Sequence, residues 1–387
     1  MKDYYEDLCK FYEIMVGRIP ERDSFKEALK KTVSVDDLEI FFKLPLAGNI
    51  SLPKLQKKSK LHTEELAKRL KKLSSEGFIL EYDTDEGRSF ERGNPIFMAE
   101  QQVRKPEDTP QRRAYIKFFN TGIEGELEEA IETKTPYYRV LAAEPTILAS
   151  SKLQTVEVNV DLPGGGQVLP IDIVTEMIQR DVDRIGVAQC FCRLTKRHLG
   201  EGCEHPLETC FVFNELAQSL IENGFAREIS YDDAIEIIED AEKRGLVHNV
   251  DNCAEHIRSL CNCCPCCCIV LKSINRGETF AGTTSRYIVQ FDPDKCRVCK
   301  TCIDRCPTDA RAYVDDRIVV TAEKCIGCGL CVTGCPAGAN TMVFRGMSSK
   351  LPQTNMKLYA KIGREAVLSI LKKKMFGRKS RQPEKVL

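Results

Sequence analysis

The sequence predicts an α+β chain of several domains. Three observations carry this. The chain has 387 residues, room for about two to four domains. Helical-period segments alternate with short strand-like runs over residues 1–284. Two copies of one cysteine run then stand near the C-terminus. The expected order is a helical unit closed by a hairpin over residues 1–105, a mixed α/β cysteine-rich unit over 106–284, a small unit holding the paired runs over 285–346, and a basic helical tail over 347–387.

Residues 1–34 read as helix, with Tyr5, Leu8, Phe11, Tyr12, Ile14 and Met15 on one face. Leu38–Phe42 opens a second unit. Ser51–Lys60 and Thr63–Ser75 read as two helices joined by a short turn, with Thr63 as N-cap and Glu64 and Glu65 in the first turn. Leu66, Leu70 and Leu73 share a helical face, and Gly77 is placed to end the helix. Phe78–Tyr82 and Ser89–Glu91 read as strands about a turn at Thr84–Gly87. Three helices followed by a hairpin resemble a winged helix-turn-helix over roughly residues 33–100. The resemblance implies a recognition helix presenting Lys68, Arg69, Lys71 and Lys72 to phosphate. Glu64, Glu65 and Glu76 dilute that charge, and Asp83, Asp85, Glu86 and Glu91 make the wing acidic. Docking of a partner or of a second copy of the chain is therefore the favoured use, and DNA binding the lesser one.

Arg104–Pro110 is polar and carries proline, as a linker does. Gln111–Glu132 reads as helix and Leu153–Val160 as strand. Pro163–Gly166 matches neither nucleotide-binding glycine spacing and reads as a turn. Ile171–Arg180 is an expected helix, and Ile185–Ala188 a short buried strand leading into cysteines. Ser230 with Asp233 has the form of a capping box. Ile235, Ile237, Ile238 and Ala241 continue that helix and Gly245 closes it.

This middle unit holds eleven cysteines. Cys190 and Cys192 precede Arg193. Cys203 and Cys210 follow, near His198 and His205. Cys253 stands apart. Six of the eight residues from Cys261 to Cys268 are cysteine. Adjacent side chains point in different directions, so one cluster cannot take them all. The reading is at least one further iron–sulfur cluster, drawing on Cys190, Cys192, Cys203 and Cys210 and on one or more of Cys261, Cys263, Cys264 and Cys267, with the two cysteine fields meeting in space. Cys266–Lys272 reads as a helix start. Structural zinc with His198 or His205 among its ligands is a competing reading. A dithiol–disulfide redox site is another. Packing suffices for Cys9 and Cys253, and surface or core roles for His62, His248 and His256. The whole pattern, over about residues 155–345, resembles cysteine-rich proteins that end in a two-cluster ferredoxin domain.

The paired runs are Cys296, Cys299, Cys302 and Cys306 before Pro307, and Cys325, Cys328, Cys331 and Cys335 before Pro336. Each reads C-x2-C-x2-C-x3-C-P, a spacing that holds [4Fe–4S] clusters, with the fourth cysteine serving the other cluster. One cluster is assigned Cys296, Cys299, Cys302 and Cys335. The other is assigned Cys325, Cys328, Cys331 and Cys306. Gly327 and Gly329 let backbone amides come close to the second cluster. The first loop has the bulkier Val298 and Lys300 there, so unequal potentials are expected. Two zinc-binding C-x2-C pairs fit eight cysteines in two such runs poorly. Ser285–Arg345 resembles the bacterial-type two-cluster ferredoxins. Tyr287–Phe291, Arg317–Thr321 and Met342–Phe344 read as its strands. Arg311 departs from the pattern, which usually has an apolar residue at that position.

The formal net charge is +0, so no global field draws nucleic acid or membrane. The N-terminus lacks a signal peptide's order, and no apolar run approaches the roughly 20 residues of a membrane span. The expected location is cytoplasmic, where clustered cysteines argue for metal rather than disulfides. Leu358, Ile362, Ala366, Leu368 and Leu371 give the tail an amphipathic helix, followed by Lys372, Lys373 and Lys374. That basic end suits an acidic partner or membrane surface, or a frayed terminus. No flavin or nicotinamide fingerprint is present. The leading expectation is an iron–sulfur electron-transfer protein, or a subunit of a redox complex, with a redox protein as partner. A redox-responsive DNA-binding regulator and an iron–sulfur or thiol reductase are the alternatives.

Overall fold

Seven strands of the middle unit form the largest sheet, and the cysteine fields are mounted on it. The structure, a computed structural model, describes residues 3–16, 19–120, 133–151, 161–162, 166–167, 172–278, 281–346 and 351–376. The expected strand at 153–160, the end of the helix expected over 111–132, and most of the turn at 163–166 lie outside the described residues.

The chain opens with α1 (Tyr4–Val16), α2 (Arg22–Thr32) and α3 (Val35–Lys43). Residues 1–34, expected to be helical, form two helices. Pro20, which lacks a donor and blocks the preceding turn, stands between them. Ser34 caps α3 through a reciprocal pair with Asp37. Next come β1 (Asn49–Ser51), α4 (Leu52–Ser59), α5 (Thr63–Ser75), β2 (Ile79–Thr84) and β3 (Gly87–Arg92). The N-cap of α5 is His62 rather than Thr63, and its side chain makes no capping bond. Leu66, Leu70 and Leu73 are buried as their spacing predicts. The three strands form a sheet in the order β1-β3-β2. Then follow α6 (Pro95–Arg104) and α7 (Pro110–Lys117). Helix α7 follows the linker and folds back on α2. Phe25 meets Tyr115 edge-on at 5.6 Å, and Tyr115 donates to Thr32 Oγ1 at 2.8 Å.

The middle unit continues with β4 (Tyr138–Val140), α8 (Glu144–Ser151), the two-residue ladder of β5 (Asp161–Leu162) and β6 (Gly166–Gln167), α9 (Val174–Asp181), β7 (Ile185–Gln189), α10 (Phe191–His198), β8 (Glu208–Phe213), α11 (Asn214–Glu222), β9 (Ala226–Ile229), α12 (Tyr231–Lys243), β10 (Val247–Asp251), β11 (Ser259–Cys263), α13 (Ile269–Asn275) and β12 (Gly282–Thr283). The sheet order is β12-β4-β10-β11-β8-β7-β9. Its pairs are antiparallel except β12 on β4. Ser230 and Asp233 form the expected capping box on α12.

The small unit contains β13 (Tyr287–Phe291), α14 (Thr301–Asp304), β14 (Arg311–Val314), β15 (Arg317–Val320), α15 (Leu330–Thr333) and β16 (Asn340–Phe344). Strand β13 pairs with β16 and β14 with β15, both antiparallel. The tail helix α16 (Asn355–Phe376) is docked rather than frayed along its first half. Leu358 and Ile362 are buried in the middle unit's core, and Glu365 accepts from Thr135 Oγ1 at 2.7 Å. Among the described residues, no helix is long and apolar enough to cross a membrane.

The N-terminal hairpin is fixed to the middle unit. The Asp83 amide donates to Gln218 Oε1 at 3.1 Å, the Glu81 amide to Ser219 Oγ at 3.1 Å, and Arg258 pairs with Glu91 at 2.9 Å. Arg88 pairs with Glu222. The hairpin edge and α5 therefore face α11.

Candidate metal centres

Ten of the eleven middle-unit cysteines fall into two groups, one of six and one of four. Cys261 and Cys263 are two apart on β11 and so share a face of the sheet. Cys210 on β8 lies directly opposite Cys261 in the ladder. Strand β7 slips register between Ala188 and Gln189. Such bulges re-aim the chain near functional sites, and this one delivers Cys190 to the N-cap of α10. Cys192 follows within the first turn, and Cys268 is the N-cap of α13. The six sulfurs form a closed ring in which each interacts with two neighbours, running Cys190, Cys192, Cys268, Cys263, Cys261, Cys210 and back to Cys190.

Thiol acidity alternates around the ring. The neighbouring Cys192 and Cys210 thiols hold Cys190 well below the ordinary thiol value. Cys210 and Cys263 lower Cys261 to about 6. Cys192 and Cys263 likewise lower Cys268. Cys192, Cys210 and Cys263 are raised in return. A metal ligand must lose its proton, and the packing of thiol against thiol shifts three of the six in that direction.

The second group is Cys203, Cys264, Cys266 and Cys267, whose four sulfurs all lie within 4.8 Å of one another. Cys264 and Cys267 are buried, Cys203 half-buried and Cys266 exposed. Arg193, fully buried, stands between the two groups. Its Nε donates to Cys264 Sγ at 3.4 Å. Its other nitrogens donate to the carbonyls of Pro206 and Asn262 and to Thr209 Oγ1, each at 2.6 Å. Cys190 and Cys264, then Cys210, hold its charge in place against burial. A buried cation demands a compensating charge, and among the described residues Arg193 pairs with no carboxylate. Cys264 is lowered to about 5, first by the Cys267 thiol and then by Arg193.

The structure thus brings together all eight cysteines expected to bind metal in the middle unit, but divides them. Cys190, Cys192, Cys210, Cys261 and Cys263 join the ring, while Cys203, Cys264 and Cys267 join the foursome. Cys266 and Cys268 complete the two sets and were not singled out. Neighbours in one short run go to different centres, and residue order alone does not say which. No histidine enters the foursome. His248 is buried against Asn262 at 2.7 Å, and Cys9 and Cys253 are buried singly.

In the small unit Cys296, Cys299, Cys302 and Cys335 line one cavity, with Phe291 and Ile318 among its walls. Cys306 comes from the first run but, like Cys325, is a charge neighbour of both Cys328 and Cys331. Both cysteine loops place two residues in the left-handed region. In the first loop these are Val298 (φ 56°) and Lys300 (φ 66°), and in the second Gly327 (φ 71°) and Gly329 (φ 79°). Glycine takes that conformation freely, whereas a β-branched valine is strained in it. A Cβ on Gly327 would lie 2.0 Å from the Tyr287 carbonyl oxygen. The Val298 amide faces Cys296 Sγ at 3.4 Å, and the Ala310 amide faces Cys306 Sγ at 3.2 Å. Four-thiol sets with amides turned toward sulfur fit [4Fe–4S] clusters. Arg311 is buried, with Nη2 at 3.7 Å from Cys331 Sγ. Its charge also favours the Cys302 thiolate, so it lies between the two thiol sets.

The small unit rests on the middle one beside the ring. Cys328, Ile326 and Leu330 share one apolar core with Cys263, Cys268, Val140 and Val270. The Ala143 amide donates to the Cys328 carbonyl at 3.0 Å. A Cβ on Gly329 would meet Thr146 Oγ1 at 2.7 Å, so glycine permits this close approach.

Residues 288–336 match the family described as a 4Fe-4S dicluster domain. This region is an iron–sulfur domain for two [4Fe–4S] clusters. No curated protein matches the chain.

Proposed function

We propose that the chain is an iron–sulfur electron-transfer protein, or a subunit of a redox complex, in which electrons pass between the dicluster domain and a further redox metal centre at the six-thiol ring. One observation carries the reading: Cys328 of the dicluster domain and Cys263 and Cys268 of the ring lie in one continuous apolar core. Such a core excludes water and fixes the separation of the groups on either side. When bound, the clusters supply one-electron chemistry. The residues supply thiolate ligands, distance and potential.

Cys296, Cys299, Cys302 and Cys335 would hold one cluster, and Cys325, Cys328, Cys331 and Cys306 the other. The cavity lined by the first four supports the first set. The charge neighbours of Cys328 and Cys331 support the second. The winged-helix-like N-terminal unit, with its hairpin docked on α11, would act in assembly rather than in DNA contact. Salt bridges on its basic helix support that assignment: Arg69 meets Asp36 and Glu65, and Lys72 meets Glu76.

The test is anaerobic purification followed by iron analysis and EPR of the reduced protein. Iron should exceed the roughly eight atoms that two cubes contain. Replacing Cys263 by Ser should remove the excess iron and its signal while the dicluster signal persists. Iron at about eight per chain, unchanged in C263S, would sink the ring centre.

A further inference from the structure

We propose that Cys203, Cys264, Cys266 and Cys267 hold a single tetrahedral zinc ion, a closed structural centre separate from the iron–sulfur sites. The inference goes beyond the electron-transfer reading and does not depend on it.

The geometry points to one ion rather than a cluster. Zinc–thiolate bonds are about 2.3 Å, which sets the edge of a tetrahedron of sulfurs at about 3.8 Å. Cys203 Sγ lies 3.7 Å from Cys264 Sγ and 3.7 Å from Cys267 Sγ, and Cys266 Sγ lies 3.7 Å from Cys267 Sγ. No pair in the foursome exceeds 4.8 Å. Four thiolates on the four irons of a cube must stand further apart, because each is bonded to a different metal atom. The volume enclosed by these sulfurs suits one ion.

The donor set is also prearranged. Cys203 comes from the loop after α10. Arg197 donates to the Cys203 carbonyl at 3.0 and 2.8 Å and to the His205 carbonyl at 2.8 Å, which fixes that loop. Gly202 allows the close approach, since a Cβ there would meet Arg197 Cγ at 2.3 Å. The other three cysteines come from one turn, closed by the Cys268 amide donating to the Cys264 carbonyl at 3.1 Å. Binding displaces the thiol protons and leaves a zinc tetrathiolate with two negative charges, and the Arg193 guanidinium at Cys264 offsets part of that charge. Four protein sulfurs leave no open position, which marks a structural rather than a catalytic zinc. The ion would tie the Cys203 loop to the turn from Cys264 to Cys267, so the ring cysteines on either side keep their places.

The test uses the full chain, purified anaerobically from zinc-replete medium. Element analysis should give one zinc per chain. X-ray absorption at the zinc edge should show a single shell of four sulfurs at about 2.3 Å. The double variant Cys203→Ser, Cys266→Ser should lose the zinc while keeping its iron and the EPR signal of the dicluster domain. Cys9→Ser should lose neither. Should the double variant lose the dicluster signal through misfolding, the single variant Cys266→Ser decides, because that side chain is exposed. Its zinc shell should then contain three sulfurs. Absence of zinc from the wild-type protein would overturn the inference. So would nitrogen in its zinc shell, or loss of iron in place of zinc from the double variant. Zinc and excess iron are separate readouts, so either centre can fail alone.

Discussion

Arg311 and Arg193 occupy similar situations, each a buried guanidinium facing thiol sulfur. In the dicluster domain Arg311 replaces the apolar residue usual in ferredoxins, and its Nη1 is buried without a partner. A cation there stabilises whichever cluster state is more negative, which is the reduced state. For a unit charge about 6 Å away at an effective dielectric of about 20, the interaction is roughly 2–3 kcal/mol, equivalent to a one-electron shift on the order of 100 mV. Arg311→Leu should therefore lower at least one dicluster potential by that order in an EPR-monitored redox titration. Potentials unchanged within about 20 mV would mean that the charge is screened. The sequence showed that Arg311 was out of place, but not its use, because the sulfur it meets lies twenty positions away across the fold. The same limit applied to Cys266 and Cys268. Adjacent cysteines leave opposite sides of a turn, and the partners that sort them, Cys203 and Cys192, are remote in the chain. The strain at Val298 was partly legible. The paired runs align Val298 with Gly327, and the structure gives both a left-handed φ.

Helices and strands with their own period and caps were readable. Helix α5 shows its buried leucines at helical spacing, and α12 shows its capping box and closing glycine. How these elements dock was not readable, because docking rests on polar pairs far apart in sequence. The hairpin of β2 and β3 is held by Gln218, Ser219, Glu222 and Arg258. The end of α5 is held by Asn223, which donates to Ser74 Oγ at 2.8 Å and accepts from Lys71 Nζ at 3.2 Å. These bonds occupy the surface that a DNA-reading wing would offer. They leave an acidic hairpin beside a helix on which Arg69 and Lys72 already meet carboxylates and Lys71 meets Asn223. Non-specific DNA binding draws its free energy from unpaired cations that displace counterions. The intact holoprotein should thus leave a random duplex unshifted in low-salt gels at about 10 μM protein. Salt-dependent binding with a steep slope would show that α5 sheds its acidic partners, and would revive the regulator reading.

At the scale of the whole molecule, one core joins units that the sequence reads as separate. Leu8, Phe25, Phe41 and Tyr115 of the N-terminal helices belong to the same buried cluster as Cys190, Cys192, Cys210, Cys264 and Cys267. Contact passes through Phe119, which meets Phe191 edge-on at 5.1 Å, and through Arg104, stacked 5.3 Å over Phe191 and donating to the Gln189 carbonyl at 2.9 Å. Phe191 lies between Cys190 and Cys192, so the aromatic bridge is built on the thiol ring itself. Metal binding contributes directly to folding free energy when the site does not persist in the unfolded chain. Loss of metal from the middle unit should therefore loosen the N-terminal helices as well as the cysteine loops. Hydrogen exchange of the holoprotein, before and after anaerobic metal removal by a chelator, measures this. Amides of α2, α6 and α7 should lose protection together with those of α10 and β11, as one cooperative unit. Val367, Leu368 and Leu371 of α16 are exposed, and exchange around them should hardly change. If α2 and α7 keep full protection while α10 and β11 open, the N-terminal unit folds independently, and its contact with the ring is docking rather than shared stability.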